Sequence, residues 1–217
     1  MKRFIVLLLM ATALSATPEA PTAIAAKAKQ SSNIRLVGVK SFDKVFREAR
    51  DLSSTLTDAS QRRKTARLNL NTALGLKSKT TFEDALRELR SRAKGKVKVS
   101  ARGGKPKLQA TDAVPSNVQA GIDAANAAVD DYTRLLSDLA SMPESCAEMA
   151  RKARQLSAAD LRSELSVRSV SDVRKRVRQV KKVRSNLQTM QKMPNRSQRL
   201  MSNLRGDVAS VQSVFSR

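Results

Sequence analysis

Ser41–Leu76, SFDKVFREARDLSSTLTDASQRRKTARLNLNTALGL, carries its apolar residues in alternating steps of four and three. Positions 45, 49, 52, 56, 59, 63, 66, 70 and 73 read Val, Ala, Leu, Leu, Ala, Arg, Ala, Leu and Ala, so Arg63 alone breaks the row. Such spacing returns to one side of an α-helix every 3.5 positions, which defines a heptad seam. Ser41 is the expected N-cap, and Gly75 followed by Leu76 is a Schellman-type stop. At 1.5 Å per residue this rod is about 50 Å long. It needs partners along its seam, from its own chain or from a second copy.

The same spacing recurs downstream. Thr80 with Glu83 forms a capping box ahead of a face made of Phe82, Leu86, Leu89 and Ala93, with a stop at Gly95. Val118, Ile122, Ala125, Val129, Tyr132, Leu136 and Leu139 form another stripe, with Asp123, Asp130, Asp131 and Asp138 on its outer face. These acids suit a place beside a basic helix, which would set register and direction. Cys146, Ala150 and Ala153 stay in phase after Met142-Pro143, and Pro143 is read as the first turn of a new helix. Ser157–Leu165 reads as a short capped helix or a continuation. Pro194 marks a boundary before a last helix presenting Met201, Leu204, Val208, Val211 and Phe215.

Only 96–110 changes period. KVKVSARGGKPKLQA reads either as a hairpin about Gly103-Gly104 or as a flexible basic loop. The hairpin would pair Val99 with Leu108 and Val97 with Ala110 on one face. The predicted fold is therefore mainly α, an antiparallel helical bundle of about five or six helices with heptad-like seams, plus one small basic hairpin at 96–110.

The start of the chain reads differently. Met1-Lys2-Arg3 and FIVLLLMATAL form a charged and then a short apolar region, and Ala23-Ile24-Ala25 supplies an A-x-A cleavage site. A secretory signal over 1–25 is expected, cleaved near Ala25 or Ala26, which places the mature protein in the periplasm or outside the cell. Residues 26–40 form a polar lead whose Ile34–Val39 patch is a short strand or an extended segment lying on the bundle. Residues 41–217 are expected to form one helical-bundle domain. The 42 Lys plus Arg outnumber the 19 Asp plus Glu, for a net charge of +23. Within 1–25 the only charges are Lys2, Arg3 and Glu19, so the excess belongs to the exported part. It predicts attraction to anionic polymers or membrane surfaces and says nothing of fold.

The charge is most concentrated in Ser171–Met193, SDVRKRVRQVKKVRSNLQTMQKM. Wound at about 100° per residue, it places Val173, Val177, Val180, Leu187 and Met190 in one arc. Arg174, Lys175, Arg178, Lys181 and Lys182 fall on the opposite arc. Arg176 and Arg184 lie within the apolar arc, with stems along it and heads reaching water. The valine arc is expected to be buried, so Val177→Asp should cost several kcal/mol. The five outer cations are either one solvated face of a bundle helix or a docking face for a polyanion. They are the candidate polyanion-binding residues, with Lys96, Lys98, Arg102, Lys105 and Lys107 as a secondary basic patch.

Several chemistries lack their residues. There is no histidine, which removes Ser-His-Asp and Cys-His catalysis and histidine zinc sites. One cysteine cannot make an intramolecular disulfide, and Cys146 reads as a buried small hydrophobe or, if exposed, as an intermolecular cross-link. With no tryptophan and one tyrosine, stacking platforms for single strands are nearly missing. No phosphate-loop, dinucleotide-binding, zincin or C-x-x-C motif occurs. Gly103-Gly104 between Arg102 and Lys105 is a turn. Asp130 and Asp131 point about 100° apart, and Glu144 with Glu148 lacks further ligands, so both groupings read as surface charge balance. No enzyme activity, cofactor or metal is expected.

Two functions fit. The first is an exported binding or structural protein whose basic surface holds an anionic envelope or extracellular component: lipopolysaccharide, acidic polysaccharide or nucleic acid. The second is a periplasmic holdase for unfolded protein clients. NIRLVGVKSFDKVFREAR, residues 33–50, resembles the start of the trimeric Skp-type chaperones, a strand leading into a long basic helix. The chain then departs, since that family's tentacle helices and returning strand have no clear counterparts. The L-T-x-x-Q motif of the Spy-type chaperones is absent; Leu56-Thr57-Asp58-Ala59-Ser60 does not supply it.

Overall fold

Asp43 anchors the start of the first helix. Its carboxylate accepts the Val37 and Gly38 N–H groups at 2.7 and 2.9 Å, and Val39 is the N-cap of α1 (Lys40–Ala73). Ser41 thus lies inside the first turn and is not the expected cap. The computed structural model describes residues 34–102, 105–156 and 170–216. The expected signal sequence, the turn residues 103 and 104, and the short helix expected at 157–165 lie outside the described residues.

Every seam position of α1 is buried or half-buried, and Phe42, Phe46 and Ser53 widen the covered face. The helix stops as its sequence predicts. Gly75 takes φ +64°, and the Leu76 N–H donates to Asn71 O at 2.8 Å. Asn71 is itself buried and donates Nδ2 to Lys77 O and Thr80 O, which fixes the turn. Thr80 belongs to that turn, so the cap of α2 (Phe82–Ala93) comes one residue later than expected. Thr81 Oγ1 accepts the Asp84 N–H at 3.1 Å and donates to Asp84 Oδ2 at 2.7 Å. Glu83 instead pairs with Arg87 one turn on.

Residues 96–110 form the hairpin and not the loop. β1 (Val97–Arg102) and β2 (Lys105–Ala110) pair antiparallel with Val97 opposite Ala110 and Val99 opposite Leu108, the predicted register. Asn126 of α3 (Ser116–Asp138) secures it by treating Leu108 as a neighbouring strand would. The Leu108 N–H donates to Asn126 Oδ1 at 2.8 Å, and Asn126 Nδ2 donates to Leu108 O at 2.9 Å. A two-stranded ribbon needs such a backing to be stable.

The α3 stripe is buried as expected, with Leu136 half-buried. Tyr132 packs edge-on against Phe82 at 5.4 Å and donates its hydroxyl to Arg63 O at 3.1 Å. At Gly121 the helices approach closely, because a Cβ there would sit 2.7 Å from Leu74 Cδ2. Of the acids on the outer face, Asp131 meets Arg62 of α1. Arg62 with Asp131 and Leu74 with Gly121 run in opposite senses, so α3 is antiparallel to α1. α4 (Met142–Gln155) is a new helix with Pro143 in its first turn, and Lys152 pairs with Glu48 at 2.7 Å. It continues past α3 along α1.

The last helix corrects the sequence reading twice. α5 (Val170–Phe215) runs through Pro194 without a boundary. Proline forfeits one rung of the ladder at a cost of about 3 kcal/mol, but the buried row crosses it in unbroken phase: 183, 186, 190, 193, 197, 200, 204. Packing on both sides outweighs the lost rung. The second correction is the valine arc. The buried row extends toward the N-terminus through the half-buried Gln179 and Arg176, about 100° around from Val173, Val177 and Val180. Those valines are 47, 50 and 43 % exposed, so Val177→Asp would bury nothing. Met190 belongs to the buried row and Leu187 lies at its edge.

Candidate polyanion interface

Arg63, the one break in the α1 seam, finds its partner on α5. Its Nε and Nη2 donate to Asp207 Oδ2 and Oδ1 at 2.7 and 3.1 Å, a bidentate pair between helices. Arg196 Nη2 reaches Thr57 Oγ1 at 2.7 Å. These two contacts advance together along both helices, so α5 runs in the direction of α1. From 173 to 206 it carries eleven basic residues and no acid.

A short extended segment is tied to the N-terminal part of that helix. Gln179 Nε2 donates to Val37 O at 2.8 Å. Asn186 donates Nδ2 to Arg35 O at 2.7 Å and accepts the Arg35 N–H on Oδ1 at 3.1 Å. The Ile34–Val39 patch is therefore an extended segment strapped to α5 by side-chain amides, and not a ladder strand. Ile34, Val37 and Val39 turn into the core while Arg35 and Leu36 face out.

The structure places Arg174, Lys175, Arg178, Lys181 and Lys182 together on this arm, all exposed, with Arg184 exposed beside them. None of the six is ion-paired with a carboxylate among the described residues. Seven other cations are: Arg62, Arg63, Arg87, Arg92, Lys96, Arg151 and Lys152. The secondary patch differs in this respect. Lys96 is 3.1 Å from Asp112, whose carboxyl it holds below the usual carboxylate range, and it also donates to Ala113 O. Lys98, Lys105 and Lys107 are exposed along the hairpin, and Arg102 lies in β1.

Sequence reading missed a third basic locus. Ser60, Arg63, Lys192, Asn195, Arg196 and Arg199 line a groove of about 460 Å³ between α1 and α5. Its members stand more than a hundred positions apart, and only the acid-free run 173–206 signals it.

Two other residues singled out in the sequence have defined surroundings. Glu148 pairs with Arg151, which lowers its pKa. Cys146 is fully buried and burial raises its thiol pKa, so the cross-linking reading has no exposed sulfur to use. Among the described residues no cluster of three or more His, Cys, Asp or Glu side chains could hold a metal, and no helix is long and apolar enough to cross a membrane. No protein family, curated protein or solved structure matches this chain.

Proposed function

We propose that this is an exported binding protein whose basic surface, centred on the N-terminal arm of α5, holds an anionic polymer or surface of the cell envelope or its surroundings. One observation carries the reading. Six cations from Arg174 to Arg184 stand exposed without a described carboxylate, whereas seven cations elsewhere are each paired with an acid. A fixed array of uncompensated cations on a helix gains by releasing the counterions of a polyanion, with little demand for sequence or shape.

The test replaces Arg174, Lys175, Arg178, Lys181 and Lys182 by Gln, which keeps helix propensity near that of Lys and Arg. With duplex DNA as test polymer, the slope of log affinity against log salt should flatten by about 4 units. Replacing Lys96, Lys98, Arg102, Lys105 and Lys107 in the hairpin should flatten it less. Equal flattening by both sets means diffuse charge and no site. The holdase reading takes over if the arm variant binds DNA as before and the protein suppresses aggregation of an unfolded client.

A further inference from the structure

From the exposed apolar residues we infer that the arm of α5 is an interfacial docking element for an anionic lipid bilayer, its valines entering the headgroup–acyl boundary beside a row of cations. The inference rests on the polyanion reading of the arm and narrows its target. The large hydrophobic side chains that stand exposed among the described residues are Leu36, Val173, Val177 and Val180. All four belong to one end of the molecule. The three valines share one arc of α5, and Leu36 sits on the segment tied to that arm at Arg35 and Val37. A protein that buries Val183, Met190, Met193 and Leu200 farther down the same helix has left these uncovered.

Charge decides what covers them. Arg174, Arg178 and Lys181 rise along one side of the valine stripe, and Arg184 lies at its C-terminal end. An apolar stripe rimmed by Lys and Arg is the pattern of helices that lie in the membrane interface, where apolar burial and attraction to anionic headgroups add. A second copy of the arm would set these cations against their own images, which disfavours a dimer across the valines. Duplex nucleic acid and acidic polysaccharide satisfy the cations but have no apolar phase to receive the valines.

The experiment uses vesicles of phosphatidylglycerol and phosphatidylcholine in equal parts, with phosphatidylcholine alone and duplex DNA as comparisons. Val173→Gln, Val177→Gln and Val180→Gln together keep every charge on the arm. They should weaken binding to the anionic vesicles by about tenfold or more while leaving DNA binding intact. Because the chain has no tryptophan, Val177→Trp in the otherwise unchanged protein is a clean reporter. Its emission should shift to the blue on anionic vesicles, and neither on phosphatidylcholine nor on DNA.

Undiminished vesicle binding by the valine variant, or an unshifted tryptophan, overturns the membrane inference and leaves the polyanion reading standing. A blue shift with an unfolded client but not with vesicles overturns it in favour of client capture. A shift that grows with protein concentration alone overturns it in favour of self-association. If the five-fold Gln charge variant keeps full DNA affinity and full salt slope, the parent reading fails instead.

Discussion

Asn186 meets Arg35 on both of its backbone polar groups, donating to the carbonyl at 2.7 Å and accepting from the N–H at 3.1 Å. One buried carboxamide on a helix thus does for an extended segment what a neighbouring strand does in a sheet. Asn126 does the same for Leu108 of the hairpin. In each case a piece of non-helical chain is fixed to the bundle without a third strand.

Asn186→Ala should therefore destabilise the protein by about 1–3 kcal/mol, because it strands both Arg35 groups in partly buried surroundings. Hydrogen exchange supplies the local check. The Arg35 amide should lose protection in this variant while amides in the middle of α3 follow only the global change. Unaltered protection at Arg35 would mean that the strap is not held by Asn186.

The Arg63–Asp207 pair predicts an asymmetry. Its side chains are 28 and 15 % exposed, so solvent weakens the interaction below that of a fully buried pair. Arg63→Met alone leaves the Asp207 carboxylate with neither partner nor full hydration, and should cost about 1–3 kcal/mol. Adding Asp207→Leu should recover most of the loss. Chemical denaturation of the two single variants and the double variant measures the coupling.

Tyr132 predicts a dependence on alkaline pH. Burial, reinforced by the nearby Asp207 carboxylate, pushes its phenol pKa up from an ordinary value of 10.0. The unfolded chain therefore releases this proton first. The stabilisation is complete below about pH 10 and is lost as pH rises further, at up to about 1.4 kcal/mol per pH unit. Tyr132→Phe should cost about 0.5–1.5 kcal/mol at neutral pH by removing the bond to Arg63 O. It should also remove this part of the alkaline slope. Denaturation midpoints of both proteins between pH 9 and 11 provide the comparison.

Val177 and Val183 should respond oppositely to the same change. Val177→Asp should shift stability by no more than about 0.5 kcal/mol, as expected of an exposed site. Val183→Asp places a carboxylate where the side chain is buried and should cost several kcal/mol. Thermal melts of the two variants decide between this phase of α5 and the one in which the valines pack.

Much of the bundle was legible because apolar spacing and burial coincide. The stripes of α1 and α3, the stop at Gly75, the start at Pro143 and the hairpin register all follow from residues whose chemistry announces their place. α5 was misread for the converse reason. Its buried row includes Asn186 and Ser197, two polar residues at 1 and 0 % exposure, with Asn186 satisfied by Arg35 and Ser197 donating to Pro194 O. A pattern scored on apolar residues skips both and locks onto the valines instead. Pro194 then looks like an end, although the buried row crosses it in step. The cations of the arm were legible as a cluster. That they lack described partners was not, since pairing depends on which helices meet.

The length of α5 adds a mechanical consequence. Its 46 residues span about 69 Å as one rod, with the cationic arm at one end and Val214 O held by Arg90 of α2 at the other. A tilt of about 5° around the middle displaces each end by about 3 Å on this length. Any displacement of the arm as a rigid rod is thus felt in the packing around Val211 and Val214 at the far end, as a lever's motion is felt across its fulcrum.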